Sequence, residues 1–229
     1  MEFLANIRCK IHSLKNPGSL HDIERIPVLS GEQEVVTLRA VPSVLEGDAS
    51  NDAQLMAAWR NNNKESFFSW INATEQSTTT WLENFYNDND EDIIFMVETN
   101  EKIPFGHLSL YNFSQDGRSC EFGRVVRGLS IGPNGGLTLA TQFLLSWAVS
   151  NFGVERIFLE VFEDNSKATA LYERCGFSVI ERIALRKSTK SNGVYWEKIT
   201  DVTKDGYKPD SFALKMEITN DQIPGNENT

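Results

Sequence analysis

The sequence is poor in cysteine, with only three cysteines among 229 residues and no C-x-x-C pair. Cys9, Cys120 and Cys175 cannot all pair with one another, and their spacing does not match that of zinc ligands. A disulfide framework and a structural zinc are therefore both poor interpretations, and no metal is predicted.

Long apolar runs are also missing. The longest, such as Ile93–Val97, are far shorter than the roughly 20 residues that a membrane-spanning helix needs. Lys10, His12, Lys15 and Pro17 interrupt the apolar residues near the N-terminus, so a secretory signal is not predicted either. We expect a cytoplasmic protein that neither crosses nor binds a membrane.

Positive charge is in short supply as well. Lysine and arginine number 22 against 32 acidic residues, which gives a formal net charge of −10. Sequence-independent binding of nucleic acid needs basic side chains that replace the counterions of the phosphates. The composition therefore argues against a nucleic-acid partner, while 40% hydrophobic residues are typical of a folded protein.

Apolar periodicity divides the chain into strands and helices. Ile93–Glu98, Ile103–Phe113 and Cys120–Leu129 are predicted as consecutive antiparallel strands, with Gly123 marking a bulge or a close backbone approach. A strand–helix–strand–helix–strand passage follows, and a mixed sheet with helices on its faces accommodates both parts. The predicted fold class is α+β, or mixed α/β, in a single domain.

The remaining segments complete this outline. Val35–Val41 is predicted as the first strand, a short helix covers about 52–62, and Thr74 caps a helix that carries Trp81, Leu82 and Phe85. Further predictions are a long loop at Arg186–Gly193 and two closing strands, Val194–Ile199 and Ser211–Ile218. The chain is divided into an N-terminal extension (1–34), a main domain (35–218) and a polar C-terminal tail (219–229).

What the sequence does have is glycine ahead of its best helix. Residues 128–138 contain four glycines, and the helix predicted at 136–151 follows them. Exposed amides and the helix dipole at such a turn attract anions, so a phosphate-bearing cofactor is the predicted guest. A plain glycine-rich connection is the alternative, since neither a Walker A nor a Rossmann fingerprint is present.

A second motif follows in residues 165–177, Asn-Ser-Lys-Ala-Thr-Ala-Leu-Tyr-Glu-Arg-Cys-Gly-Phe, which combines a helix cap, an apolar face and a strand start. With these two motifs, residues 93–187 resemble the GNAT superfamily of acyl-CoA-dependent N-acetyltransferases. The resemblance implies a central, mostly antiparallel mixed sheet and acetyl-CoA as the acyl donor. It also implies a set of cofactor-binding residues: Leu129, Ser130, Ile131, Asn134, Gly135, Gly136, Leu137, Thr138, Asn165 and Ala168.

The same resemblance implies that Tyr172 lies near the thioester sulfur. A phenol with a pKa of about 10 is a suitable proton donor to a thiolate whose conjugate acid has a pKa of about 8.5. For the base, His107, Glu121 and a water relay all stay open. Main-chain amides near 128–131 are expected to polarise the thioester carbonyl. Cys175 has no histidine beside it in sequence, so direct transfer without an acyl-enzyme is predicted.

The acceptor is predicted to be a primary amine of a small molecule. Trp59-Arg60-Asn61, Phe67-Phe68 and Trp81 look like the acceptor-side helices of the GNAT branch that acetylates amino sugars carried on nucleotides. Arg60, Asn61 and Arg127 are the predicted substrate-binding residues. The alternatives are a polyamine or a protein N-terminus, which the acidic balance favours, and a non-catalytic acyl-CoA-binding module. A monomer and a homodimer are both consistent with the sequence.

Overall fold

The computed structural model describes residues 2–19, 22–199 and 208–223. Ten strands in this part of the chain form one sheet, in the order β1-β2-β4-β5-β6-β7-β10-β8-β9-β3. The strands are β1 Arg25–Ser30, β2 Gln33–Ala40, β3 Ser69–Trp70, β4 Asp92–Glu98, β5 Pro104–Tyr111, β6 Ser119–Arg127, β7 Arg156–Phe162, β8 Ser178–Lys190, β9 Gly193–Lys198 and β10 Ser211–Thr219. The helices are α1 Glu2–Lys15, α2 Asp52–Asn62, α3 Glu75–Trp81, α4 Gly136–Phe152 and α5 Ser166–Arg174.

Strand β4 shows how the sheet separates two hydrophobic cores. All seven of its residues are buried, and successive side chains point to opposite faces. Ile93 and Phe95 belong to the larger core with α1 and α4, whereas Ile94 and Met96 belong to a smaller core under α2 and α3. A strand covered on both faces reads as a continuous apolar run, which is why the sequence predicted it well. The α+β fold with helices flanking a mixed sheet is confirmed.

Helix α3 begins at the expected cap and ends in an unexpected way. Thr74 accepts a hydrogen bond from the amide of Ser77, but the helix continues into a π-helical turn at Leu82–Tyr86. The wider turn changes which side chains face the core. Tyr86 is buried and Phe85 is 66% exposed, so Tyr86, and not the Phe85 that the sequence singled out, packs into the core.

Strands β6 and β7 separate soon after they meet. They pair in parallel only through 119–121 and 156–158, although both continue beyond this point. On its other edge, β6 pairs with β5 with a register shift opposite His107–Ser109. Arg124, inside the resulting bulge, has a φ of +50°. The predicted bulge is therefore present, and the two strands leave a wedge-shaped opening.

Two expectations about organisation differ from the structure. Residues 1–34 were expected to form an extension, but Ile7 and Ile11 of α1 are buried in the larger core and β1 pairs with β2. The expected loop at Arg186–Gly193 is mostly strand, because β8 continues to Lys190 and turns into β9. Its polar residues carry no alternation because most of residues 186–193 are exposed. Of the expected tail, Thr219 ends β10, and 224–229 lie outside the described residues.

Within the ranges given above, no helix is long and apolar enough to cross a lipid bilayer.

Candidate active site

A groove of about 550 Å³ follows the opening between β6 and β7 and reaches the N-terminal ends of α4 and α5. It brings together eight residues that the sequence singled out. These are Glu121, Arg127, Gly135, Leu137, Thr138, Asn165, Ala168 and Tyr172. The cofactor motifs before α4 and within α5, which are separate in sequence, therefore face one space.

The start of α4 has the features of an anion cradle. Gly135 is its N-cap with a φ of +75°, in the left-handed region that glycine tolerates best. The first-turn amides of Leu137 and Thr138 have no partner within an α-helix, and they lie at the end where the helix dipole is positive. Further basic side chains also line the groove: Arg127, Lys167 and Arg174. These residues fit the diphosphate of acetyl-CoA.

Asn165 has a structural task at the same groove. It is the N-cap of α5, and its side-chain oxygen accepts a hydrogen bond from the amide of Ala168 at 3.2 Å. The hydroxyl of Thr169 donates to the Asn165 carbonyl at 3.2 Å. Asn165 thus fixes the beginning of α5, and its predicted contact with the cofactor stays a prediction.

Tyr172 lines the groove with its ring fixed and its hydroxyl free. The ring packs edge-on against Phe122 and Phe177, with centroids 6.2 and 6.0 Å away, and the residue is 8% exposed. Within the described part of the chain, no group forms a hydrogen bond with the hydroxyl. Burial raises the pKa of Tyr172, so the hydroxyl carries its proton throughout the ordinary pH range.

The loop after β6, which was expected to lie beside the acyl arm of the cofactor, lies outside the groove. Leu129, Ser130 and Ile131 are exposed and line neither the groove nor the neighbouring cavity. The reason is that the amides of Gly128 and Leu129 both donate to the Phe105 carbonyl, at 2.8 and 3.0 Å. Residues 123–127 of β6 line the groove instead, so this lining does not support the expectation that 128–131 flank the acyl arm and polarise the thioester, which stays a prediction.

Arg127 and Asn134 also differ from expectation. Arg127 lines the groove rather than the acceptor side, and its guanidinium donates to the carbonyls of Leu129 and Gly132 at 3.4 and 3.3 Å. It braces the loop ahead of α4. Asn134 is exposed in that loop and does not line the groove, whereas Gly136 is buried against Pro133 at the start of the helix.

A second cavity of about 500 Å³ lies beside the groove, under α2 and α3. Phe67 and Arg124 line both spaces, so the two meet there. The lining of the second cavity consists of Met56, Arg60, Phe67, Ser69, Ile71, Ala73, Ser77, Thr78, Trp81, His107 and Arg124. An amine in this cavity and a thioester in the groove can meet at the junction. We call this second space the acceptor cavity.

His107 is the candidate base that faces the acceptor cavity. The residue is 4% exposed and its ring stacks on Trp59 at 6.0 Å. Its Nδ1 atom is buried and has no hydrogen-bond partner among the residues that the structure describes. Burial, with smaller effects from the positive charges of Arg124 and Arg60, lowers the pKa of His107 to about 4. The ring is therefore neutral near neutral pH, and Nδ1 is free to accept a proton or a hydrogen bond.

Glu121, the other candidate base, lies in the groove and not in the acceptor cavity. Its two carboxylate oxygens accept hydrogen bonds from the Tyr111 hydroxyl at 2.8 Å and from the Asn112 amide at 2.9 Å. Of the two candidate bases, His107 lines the acceptor cavity and Glu121 lines the groove.

Arg60 and Asn61, the adjacent residues predicted to bind the acceptor, have different surroundings in the structure. Arg60 lines the acceptor cavity, donates to the carbonyl and hydroxyl oxygens of Ser69 at 3.1 and 2.8 Å, and lies 4.3 Å from the Phe67 ring centroid. Asn61 faces elsewhere, because its amide group forms two hydrogen bonds with the backbone of Ala73, at 2.7 and 2.8 Å. The Asn61 side chain thus braces the α2–α3 connection, and its predicted contact with the acceptor stays a prediction.

Arg124 is a site residue that the sequence did not reveal. It lies at the junction of the two spaces and forms a bidentate ion pair with Asp92. The glycine before it predicted the bulge, but no local signal indicated which side chain the bulge turns inward. Across the described ranges, no group of three or more His, Cys, Asp or Glu side chains is placed to hold a metal ion.

The fold, the anion cradle at α4 and the tyrosine beside it define an acyl-CoA-dependent acyltransferase. The family model described as an acetyltransferase (GNAT) domain matches residues 44–178, so the chain belongs to the GNAT acetyltransferases. It is an acetyl-CoA-dependent N-acetyltransferase, which argues against the non-catalytic alternative.

Similar proteins agree with this assignment. A spermidine N(1)-acetyltransferase of Vibrio cholerae serotype O1 is 30% identical over 120 residues, covering 51% of this chain and 68% of that protein. The crystal structure of a V. cholerae spermidine N-acetyltransferase with CoA and spermine superposes with a TM-score of 0.62 at 21% identity, covering 82% and 98% of the two chains. Apo FdhC, a nucleotide-linked sugar GNAT, reaches 0.56 at 17% identity, with 82% and 89% covered.

Proposed function

We propose that this N-acetyltransferase acetylates a primary amine of a polyamine of the spermidine class. The observation that carries the proposal is the 30% identity with a spermidine N(1)-acetyltransferase over two thirds of that protein. The net charge of −10 supports it, because an acidic protein attracts polycations. The amino-sugar nucleotide expected from the sequence receives less support from these relatives.

In the proposed reaction, acetyl-CoA supplies the thioester and the chain supplies position and proton transfer. The amides at the start of α4 and the basic side chains of the groove hold the phosphates. The amine nitrogen attacks the carbonyl carbon, so the new C–N bond forms as the C–S bond breaks. Backbone amides of the bulge around Arg124 polarise the carbonyl oxygen. The register shift between β5 and β6 leaves Arg124 and Val125 outside the paired positions of the two strands.

Two side chains handle the protons in this proposal. His107 accepts the proton that the neutral amine loses as its nitrogen becomes an amide, directly or through a water molecule, and passes it on to solvent so that the ring is neutral again. Tyr172 gives its proton to the leaving sulfur, and the phenol is regained from solvent after CoA leaves. Among the described residues, neither Nδ1 of His107 in the acceptor cavity nor the Tyr172 hydroxyl in the groove has a hydrogen-bond partner, which supports this division of roles.

A second candidate acceptor is an amine that also carries a phosphate or carboxylate, as an amino-sugar nucleotide does. Arg60 favours it, because no carboxylate among the described residues pairs with its guanidinium and none lines the acceptor cavity. A half-buried cation without a counter-ion is costly, and an anionic ligand group would offset that cost.

The experiment compares thiol release from acetyl-CoA with spermidine, spermine, an amino-sugar phosphate and a nucleotide-linked amino sugar. We expect turnover with the polyamines, and Arg60→Gln should lower their KM because a like charge is removed. Arg118→Gln, in an exposed pair with Glu155, is the matched charge control and should change nothing. Turnover only with the anionic amines, together with about a tenfold or greater rise in their KM in Arg60→Gln, would reject the polyamine.

A further inference from the structure

Two buried cations lie on elements that precede the family match at 44–178 and contact the acceptor side of the molecule. Lys15 ends α1, Arg39 lies on β2, and the side chains of both are fully buried. Fully buried basic side chains are rare unless something holds them, so the partners of each show what it does.

Lys15 binds the turn that ends α3. Its ammonium donates to the carbonyls of Tyr86 and Asn89 at 2.5 and 2.7 Å and lies 3.9 Å from the Tyr86 ring centroid. Carbonyls at the end of a helical segment lack partners within it, and a cation there is favourable. The carbonyl of Lys15 also accepts the amide of Ser43 at 2.7 Å, which ties α1 to the chain after β2.

Tyr86 connects Lys15 to a residue that lines the acceptor cavity. Its ring stacks on Trp81 with centroids 6.2 Å apart, and Trp81 lines the cavity. The Tyr86 hydroxyl donates to the Val41 carbonyl at 2.8 Å and accepts from the amide of Ile94 at 3.3 Å, so the ring cannot shift freely. Lys15 is thus two contacts away from the cavity.

Arg39 holds the other acceptor-side helix by its first residue. Its guanidinium donates to both oxygens of Asp52 at 2.7 and 2.9 Å and to Glu98 at 2.5 Å. Asp52 begins α2, which carries Met56 and Arg60 into the acceptor cavity.

Strand β1 extends the same network. Arg25 donates to Glu98 at 3.2 Å and to Asp48, in the turn before α2, at 2.6 Å. Residues from α1, β1 and β2 therefore hold both helices that cover the cavity.

Stability alone is a weak explanation for such ion pairs. The cost of removing charges from water often equals or exceeds what they gain from one another, and well-packed apolar residues would serve the core as well. Hydrogen bonds from charged groups do, however, fix the direction of their partners. The partners here are the start of α2 and the end of the α3 segment.

We propose that Lys15 and Arg39 are positioning residues for the acceptor cavity, and that α1 and β1 serve to hold α2 and α3 in the geometry that receives the amine. The proposal rests on the proposed function in one respect, namely that this cavity receives the acceptor. In this proposal the first 34 residues affect catalysis indirectly, because they fix the helices around the acceptor cavity.

The principal test is Lys15→Met, which keeps the unbranched side chain and removes the ammonium. We expect the KM for the acceptor to rise about tenfold while kcat and the Kd of acetyl-CoA change by no more than about twofold. Lys10→Met is the matched control on the same helix, since Lys10 donates to the Asn151 carbonyl of α4 and lies away from the cavity. It should leave the KM for the acceptor unchanged.

Hydrogen exchange supplies a second measurement that needs no acceptor. In Lys15→Met the amides of 75–87 should exchange about tenfold faster or more, whereas those of α4 should keep their rates. If Lys15→Met does not fold, Arg25→Gln replaces it, because Arg25 is partly exposed; the segment expected to exchange faster is then 47–62.

Unchanged exchange in these segments, or an equal increase in α4, would overturn the proposal. An equal change in the acceptor KM and the acetyl-CoA Kd would overturn it as well. If the wild-type protein acetylated none of the amines, the proposed function would fail, but the exchange rates would still decide the positioning role.

Discussion

Arg124 and Asp92 form an ion pair across the intervening strand β5, with Nη1 and Nη2 of the guanidinium 2.6 and 2.8 Å from the two carboxylate oxygens. The guanidinium carbon lies 4.3 Å from the ring centroid of Tyr111 and 5.2 Å from that of Trp81. Arg124 also has the left-handed backbone of the β6 bulge. The pair therefore holds a strained residue at the junction of the groove and the acceptor cavity.

The first prediction concerns the loss of the negative charge of Asp92 from this ion pair. In Asp92→Asn the bulge loses the ion pair that holds it, and a non-glycine residue in the left-handed region costs about 1–2 kcal/mol. We expect kcat/KM to fall by about 10- to 100-fold, measured by thiol release at steady state. Glu155→Gln removes a carboxylate from an exposed arginine pair and should have little effect. Equal effects of the two variants would contradict a role for the bulge.

The second prediction concerns the proton donor. Tyr172→Phe should lower kcat by about 100-fold, because the leaving thiolate loses its acid, and should leave the Kd of acetyl-CoA within about threefold. Tyr111→Phe removes another hydroxyl from the same groove, one already bonded to Glu121, and should lower kcat far less. Single-turnover rates and acetyl-CoA titrations measure the two quantities. A similar loss in both variants would argue against Tyr172 as the acid.

The third prediction is a pH dependence of stability. His107 has a pKa near 4 in the folded protein against about 6.5 in the unfolded chain, so the unfolded chain binds more protons between these values. The contribution of the neutral, buried His107 to the free energy of unfolding is fully present above about pH 6.5. It is lost progressively as the pH falls toward about 4. It amounts to at most about 3 kcal/mol.

His107→Gln tests this dependence, because the neutral amide keeps polar atoms in the cavity and does not titrate. Denaturant unfolding at several pH values from about 4 to 8 gives the free energies of unfolding. We expect the difference between wild type and variant to shrink on acidification, since burial and, to a smaller extent, the charges of Arg124 and Arg60 make the protonated ring unfavourable in the fold. A constant difference across this range would contradict the prediction.

The fourth prediction concerns Gly128, in the loop after β6, which lies close to Trp59 of α2. A Cβ on Gly128 would lie 2.0 Å from ring atoms of Trp59, which stacks on His107. Gly128→Ala should cost about 1–3 kcal/mol of stability through overpacking and should raise the KM for the acceptor. Gly31→Ala, in a turn with open space around it, is the control that affects stability alone. Thermal unfolding and steady-state kinetics on both variants separate the two effects.

The sequence predicted those parts of the fold that have strong local signals. Strand β4 is a continuous apolar run, and α5 begins at Asn165 and is followed by the left-handed Gly176, as caps require. Helix α1 carries no such signal, because its buried residues are only Ile7, Ile11 and Lys15. A lysine at an interior position makes the pattern look polar until its carbonyl partners, more than 70 residues away, are known.

The site divides in the same way. Tyr172 and Gly135 lie in motifs with fixed local offsets, and they do line one groove. Arg60 and Asn61 are neighbours with equal standing in the sequence, yet one faces the cavity and the other bonds to Ala73. Which of the two side chains faces the acceptor cavity depends on how α2 lies against the segment before α3. Long-range packing decides this, and local propensity carries no information about it.

Strand β10, which follows β9 in the chain, inserts between β7 and β8. It pairs along most of its length with both neighbours, so the strands made before it have no direct ladder to each other there. During synthesis, the edges of β7 and β8 that face β10 therefore stay unpaired until residues 211–219 have left the ribosome. A nascent chain therefore exposes an aggregation-prone gap in the middle of this sheet until β10 has been synthesised.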